Sequence, residues 1–487
     1  MRQFILTLIL SIQSGGGPMS KKILRLFLFM FMFALLVITQ ETFIFASPKT
    51  LQQPLKIVVD SYHSHNFINL PPDANLYDYH HLYGFRHLFR YLESRGVTVE
   101  EITTGPIDKN NLADTGMLFI NLTSMDMPPF RMSEIKAIKQ YVESGGGLLV
   151  VTDHSNCYYH AYKLTQLFEE LGMELTTETA CDKAPQTLAN GNGWIVINRF
   201  QPHAITKNIE AIAMMTGGTV DERYGIGFTS DAAWGDQWIV HPYGEGDTPG
   251  FYGNWTFDQG ERTGKMAVML TKNFGRGRIF VVGDQNMWGD AFCNYADNYK
   301  LWLNSVAWLT GEKQLADPEQ YEKWKKPHII LYENYQKAAW GNCDDEGFFN
   351  LFVALEREYW TFASNNLMGD AELIIFAHDG YALSEGEIKG LTKHLKSGRN
   401  IIVLNSSGVI PGKQSLTEQL AGQLGEPRID EYPKETSYNW AGTGSVILFK
   451  ESAAFINKTI PHPQQRPNEN QKADLEYLIA RLDKYRR

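Results

Sequence analysis

The chain has 487 residues, 43% of them hydrophobic and 21% charged, with a formal net charge of -10. That length accommodates two or three domains with sizeable cores, and the ordinary composition excludes a disordered chain. The negative balance and the lack of a basic cluster exclude a nucleic-acid backbone as partner.

The first 46 residues carry an address. "KKILRLFLFMFMFALLVIT" places Lys21, Lys22 and Arg25 before an apolar run from Leu26 to about Ile38, and "FIFASP" follows with Ala46 at a cleavage position. This is the order of a secretory signal, and the apolar core is short for a span of ~20 residues. Met19 is an alternative start, since Arg2 to Pro18 adds a second apolar run with no evident use. An exported protein, periplasmic or extracellular, is expected. An uncleaved signal anchor is the alternative and would be its sole membrane attachment. The four cysteines, Cys157, Cys181, Cys293 and Cys343, are then free to pair, with Cys157 and Cys181 nearest in sequence, but none has CxxC spacing.

The folded region opens with "LKIVVD", a strand, and "YHHLYGFRHLFRYLESRG", a helix stopped at Gly96. A strand "GMLFINL", a helix "SEIKAIKQYVESGGG" with Ser133 as N-cap, a strand "LLVV" and a helix "YKLTQLFEELG" follow. "WIVI", "KMAVML" and "RIFVVGD" read as later strands, and "NYKLWLNSVAWLTG" as a closing helix. Strands alternating with helices imply an α/β fold, a parallel sheet with helices on both faces, over residues 55–312. Residues 217–264, rich in Gly, Trp, Tyr and Asp, read as an inserted lobe, and 313–326 as a charged linker.

"ELIIFAHDGYALSEGEIKGLTKHLKSGRNIIVLNSSG" then repeats the order of "GMLFINLTSMDMPPFRMSEIKAIKQYVESGGGLLVVTDHSN". Residues 327–455 are therefore expected to form a second, shortened α/β copy, with a polar and helical tail over 456–487.

In open parallel sheets, ligands bind outside the carboxyl ends of the strands. Three strands of the first copy end there in acid: Asp60 with His63, His65 and Asn66; Asp153 with His154, Ser155 and Asn156; and Asp284 with Asn286 and Asp290. Carboxylates and imidazoles converging on one crevice suit a divalent metal, general acid–base chemistry, or the hydroxyls of a polyol. The plainer alternative is that each Asp caps a turn or helix. His80, His81 and His87 lie on the first helix and read as surface or packed residues. In the repeat Asp153 aligns on Ser406, His154 on Ser407 and Asp60 on Tyr332, so the second copy keeps the strands and loses these tips. That contrast favours chemistry in copy one and scaffold in copy two.

"SEIKAIKQYVESGGGLLVV" with its following His-Ser step, "PHAITKNI" at Pro202 to Ile209, and "GRGRIFVVGDQNMWGD" resemble the class I glutamine-amidotransferase-like superfamily, in particular ThuA-like proteins and uncharacterised exported domains of that group. The resemblance covers roughly Leu55 to Gly311, with a weaker echo to about Phe455, and implies a flavodoxin-like doubly wound parallel sheet. The superfamily's Gly-flanked nucleophile elbow is missing: Cys157 lies beyond that position, so Cys-dependent amidotransfer is not expected.

In the lobe, Trp234, Trp238, Tyr243, Tyr252 and Trp255 offer flat faces beside Asp and Asn, suited to a sugar or to a small local core. The expected catalytic residues are Asp153, His154 and Asp284. His63, Asn66, Asn156, Asn286, Trp288, Trp234 and Trp255 are expected to bind ligand. A divalent metal would draw on Asp60, His63, His65, Asp153 and His154. Two functions follow: an exported protein that binds, and hydrolyses or isomerises, a small molecule or sugar derivative, or a non-catalytic cell-envelope scaffold with a protein partner.

Overall fold

The computed structural model of the chain describes residues 54–64, 85–125, 127–187, 192–237, 253–290, 292–325, 328–333, 339–340, 345–359, 361–365, 367, 371–405, 414–450, 455–460 and 469–486. The expected signal, His65, Asn66, His80, His81, Trp238, Tyr243, Tyr252, Cys343, Ser406 and Ser407 lie outside the described residues. No helix among the described residues is long and apolar enough to cross a membrane.

The first half runs β1 (Leu55–Asp60), α1 (Arg86–Ser94), β2 (Val97–Ile102), β3 (Thr115–Ile120), α2 (Met132–Glu143), β4 (Gly147–Val151) and α3 (His160–Glu170). Short strands follow: β5 (Glu178–Cys181), β6 (Trp194–Ile197), β7 (Arg199–Phe200), β8 (Ile212–Met215), β9 (Gly225–Phe228), β10 (Trp234–Gln237) and β11 (Arg262–Thr263). The half closes with β12 (Ala267–Phe274), β13 (Gly277–Val282) and α4 (Asn298–Thr310). The main sheet has the order β2-β1-β3-β4-β13-β12-β9-β7. Its first five strands are parallel, in the flavodoxin order.

The second half runs α5 (Pro318–Lys325), β14 (Ile329–Tyr332), α6 (Phe349–Glu358), β15 (Thr361–Ser364), β16 (Leu373–His378), α7 (Glu385–Lys396), β17 (Asn400–Asn405), α8 (Leu416–Leu424), β18 (Arg428–Glu431), β19 (Glu435–Asn439), β20 (Ser445–Phe449) and α9 (Glu469–Tyr485). Its sheet, β15-β14-β16-β17-β20-β19-β18, repeats the first from β2 to β9, with five parallel members followed by antiparallel β19 and β18, and has no counterpart of β7 among the described residues. The chain is thus two flavodoxin-like repeats.

Alternation along each strand sorts the core into layers. Val58, Leu118, Ile120, Leu148 and Val150 pack with α2 and α3 on one face. Ile57, Val59, Phe119, Leu149 and Val151 pack on the other face, in one cluster with α1 and α4 and with Leu331, Ile375, Ile402 and Ile447 of the second sheet. The outer face of that second sheet packs with Leu391, Leu395, Leu416 and Leu420 of α7 and α8. The two repeats therefore share a central apolar layer.

Several expectations are corrected. "WIVI" (β6) pairs with β8 in a separate two-stranded ribbon, and "KMAVML" contributes an antiparallel strand. The stretch 217–264 is not wholly an insertion, because β9 belongs to the main sheet, while β10 and β11 join β5 in a three-stranded lobe. Gly227 stands where a Cβ would meet the Met269 side chain, so the glycines in "GIGF" are a packing requirement. The linker is the docked helix α5, with Tyr321 and Lys325 buried. Ser133 lies inside α2, whose N-cap is Arg131; the Arg131 N–H donates to Glu134 Oε2 at 2.8 Å. Cys157, Cys181 and Cys293 are buried free thiols.

Candidate functional site at the strand tips

The tip of β1 turns toward α2. Asp60 accepts from the His63 backbone N–H at 3.2 Å, and each of its oxygens lies 3.0 Å from His63 Nδ1. The other ring nitrogen, Nε2, is 3.3 Å from Glu134 Oε1, and Phe130 stacks on the ring at 3.9 Å. Glu134 also accepts from the Ile107 N–H at 2.8 Å. All three polar side chains are fully buried. Both imidazole nitrogens face carboxylates, although Nε2 makes no hydrogen bond to Glu134. This is a strut tying a strand to a helix.

The tips of β4 and β13 turn the other way. Asp153 and Asp284 continue the alternation that puts Val151 and Val282 in the central layer, opposite to the Asp60 face. Asp284 accepts from the N–H groups of Met215 at 2.6 Å, Asn286 at 2.7 Å and Met287 at 3.3 Å. Asp153 accepts from the His154 N–H at 2.7 Å and, more weakly, the Gln285 N–H at 3.4 Å. Burial pushes Asp153 well above the usual carboxylate range, and the Asp284 charge adds to it. Burial also raises Asp284, to about 7, against its three N–H donors. Residual exposure is on the Asp153 and His154 side, at 3% and 5%, while Asp284 has none.

The backbone after β4 is unusual. Ser155, Tyr158 and Tyr159 have φ of 47°, 50° and 57°, a region that non-glycine residues rarely occupy. The Cys157 N–H donates to the His154 carbonyl at 3.1 Å, closing the turn so that one ligand atom each of Asp153, His154 and Cys157 lies within 4.8 Å of the others. Asn156 Oδ1 accepts from the Ala161 N–H at 3.0 Å, and His160 Nδ1 lies 2.8 Å from the Cys157 carbonyl. Burial lowers His160 to about 4. Gly217 and Gly218 cross these tips: a Cβ on Gly218 would meet the Asp153 carbonyl and one on Gly217 the Asp284 Cβ.

Buried side-chain atoms without hydrogen-bond partners gather at these strand ends: both amide atoms of Asn121, which follows β3, with Gln285 Oε1, Asn286 Oδ1 and His160 Nε2. An unpaired buried polar atom costs about 1–3 kcal/mol, so such a set is the signature of a place where a polar ligand or water belongs.

The expected residues therefore divide. Asp153, His154, Asp284 and Asn286 come together; Asp60 and His63 lie on the opposite face of the sheet. Asn156 is a helix cap rather than a ligand contact. Trp288 is core: its Nε1 donates to the Asn298 carbonyl at 3.1 Å, and Trp302 packs edge-on at 5.0 Å. Trp234 is buried in the lobe with Lys183 5.9 Å from its ring, and the Trp255 N–H donates to buried Asp236 at 2.5 Å. The lobe joins the tips through Ser155 Oγ and Thr179 Oγ1, 2.7 Å apart.

Glu134, Asn121 and Gln285 were not expected from sequence. From sequence, Cys157 reads as a disulfide partner or a misplaced nucleophile, not as a member of the Asp153 tip. The second copy is less bare than the sequence implies, since buried His378 ends β16 and buried Asp379 follows it; Asp379 accepts from the Leu416 N–H at 2.7 Å at the start of α8. A cleft of about 480 Å³ with Lys207, Arg278 and Lys313 lies at the other end of β13. Arg278 donates there to the Trp308 carbonyl, so its charge serves the end of α4.

Residues 83–306 match DUF4350, described as a domain of unknown function. No curated protein matches. Among solved structures, the mmIFT52 N-terminal domain is 15% identical with a TM-score of 0.37, covering 52% of this chain and 97% of that one. A ThuA-like protein from Bacteroides uniformis is 15% identical with a TM-score of 0.29, covering 53% and 92%. One from Parabacteroides merdae is 9% identical with a TM-score of 0.30, covering 53% and 90%.

Proposed function

We propose that the first repeat binds a small polyhydroxylated molecule, a sugar or sugar derivative, at the tips of β4 and β13. The carrying observation is the buried, electrostatically interacting pair Asp153 and Asp284 beside His154 at two neighbouring strand tips, with unpartnered amide atoms on Asn121, Gln285 and Asn286, which follow β3 and β13. Amide and carboxyl groups alternate as donors and acceptors, which is what vicinal hydroxyls require. Asp153 and His154 supply groups for proton transfer, so hydrolysis or isomerisation is the natural reaction class. The order of basic, apolar and small residues over 21–46 supports export. The superfamily we assign is the class I glutamine-amidotransferase-like group in its ThuA-like branch. The resemblance rests on the sequence segments, with no elbow nucleophile.

A second reading, a non-catalytic envelope scaffold, draws on one observation: the Asp284 carboxylate is already engaged by three backbone N–H groups. A thermal-shift screen of the full chain against monosaccharides, sugar acids and polyols separates the two. At a hundred times Kd a ligand adds about 2.7 kcal/mol of stability, enough to raise Tm by a few degrees. The first reading expects at least one such compound, with no response from Asp153→Asn. A silent wild type favours the scaffold.

A further inference from the structure

We infer that Asp153, His154 and Cys157 form a centre for one Zn²⁺ ion at the tip of β4, with the Cys157 thiolate as its strongest ligand. The inference goes beyond sugar binding and does not depend on it; with the ion held, Asp153 and His154 serve as its ligands in place of proton-transfer groups.

The donor set is the first argument. A thiolate, an imidazole and a carboxylate are the three ligand types that bind Zn²⁺, and three protein ligands leave a fourth position for water or a ligand oxygen. Softer thiolate coordination disfavours Mg²⁺ and Ca²⁺, which take oxygen.

Geometry is the second. Tetrahedral ligands with bonds of 2.0–2.3 Å lie roughly 3.5 Å apart. The three donor atoms already fall within 4.8 Å of one another, and His154 Nε2 is 3.5 Å from Asp153 Oδ1. A closure of about 1 Å in the widest pair completes the site, within reach of side-chain rotation.

The third argument is how the chain holds the donors. The left-handed Ser155 and the bond from the Cys157 N–H to the His154 carbonyl fold residue 157 back over residue 154. The Gln285 N–H reaches the Asp153 carboxylate from β13, and His160 Nδ1 lies on the Cys157 carbonyl. Such outer bonds fix ligand orientation in metal sites. Three non-glycine residues at positive φ within five positions mark a turn held by more than chain reversal.

The test is zinc content and Co²⁺ substitution of the purified full chain. One Zn²⁺ per chain is expected after dialysis against limiting zinc, with affinity reduced at least about tenfold in Cys157→Ser and Asp153→Ala. Cys293→Ser, a buried thiol elsewhere in the fold, should keep the metal. Should Cys157→Ser fail to fold, the Co²⁺ form of the wild type decides: a thiolate-to-cobalt charge-transfer band supports the site, and its absence overturns it. Wild type without stoichiometric zinc, or Cys157→Ser with unchanged affinity, also overturns it. A wild type that binds a polyol but no zinc would leave the proposed function standing and remove this inference alone.

Discussion

The Tyr332 hydroxyl donates to Glu387 Oε1 at 2.7 Å, joining the end of β14 to the first turn of α7. The equivalent pair in the first repeat is Asp60 and Glu134. Strand register places Tyr332 beside Phe376 as Asp60 lies beside Ile120, and both glutamates are the third residue of their helix. Asp60 is too short to reach, so His63 bridges the gap. The same strand–helix tie is thus made twice by different chemistry. That identifies Asp60, His63 and Glu134 as structural and separates them from the polar cluster around Asp153.

If the strut is structural, its loss should appear in stability. His63→Ala leaves two buried carboxylates facing a void and should cost about 3–5 kcal/mol in urea unfolding. Tyr332→Phe removes one hydrogen bond and should cost about 1–2 kcal/mol. Tyr332→Phe should leave ligand response untouched. A His63→Ala loss below 1 kcal/mol would contradict the assignment.

The shared central layer predicts cooperative unfolding. One apolar cluster contains Phe119 and Trp302 of the first repeat with Leu331, Phe352 and Ile402 of the second, and Tyr321 of α5 stacks on Tyr299 at 4.6 Å. Calorimetry should show a single transition for the folded region, and two resolved transitions would mean that the repeats are separable domains.

A pH dependence follows from the contact between α1 and the turn after β13. Asp290 accepts from the His87 N–H at 2.7 Å, and burial raises its carboxyl to about 7, with Arg86 acting against the rise. The folded state then holds a proton that the unfolded state, near 4, has lost, so this group's contribution falls as pH rises from about 4 to 7. His87 works in the opposite sense below pH 6.5, because burial holds it neutral. Asp290→Asn isolates the carboxyl. Its stability relative to wild type should improve by up to about 1.4 kcal/mol per pH unit across that window. A pH-independent difference would contradict the buried acid.

Much of the architecture was legible because periodicity and glycine stops act locally. Gly96, at φ 85°, and Gly398, at φ 84°, end helices where the sequence places them, and the repeat is visible in the spacing of Glu134 and Glu387. β9 was hidden because two of its four residues are glycine, chosen for packing against Ala267 and Met269 rather than for strand propensity. The tips were recognisable as polar, but their division between two faces depends on which helix residue lies opposite, and Glu134 looks in sequence like an ordinary capping acid. The place of Cys157 beside Asp153 and His154 is hidden because nothing in "HSNC" announces a left-handed serine. Trp288 has the composition of a sugar platform and the environment of a core residue.

Polar chemistry is assigned to the tip of β4 in the first repeat and not to the acid that follows β16 in the second. Calorimetric titration of the best polyol from the screen into wild type, Asp153→Asn and Asp379→Asn tests it directly. Binding should fall at least about tenfold, 1.4 kcal/mol, in Asp153→Asn and stay within twofold of wild type in Asp379→Asn. Equal binding by wild type and Asp153→Asn, or loss confined to Asp379→Asn, would contradict it.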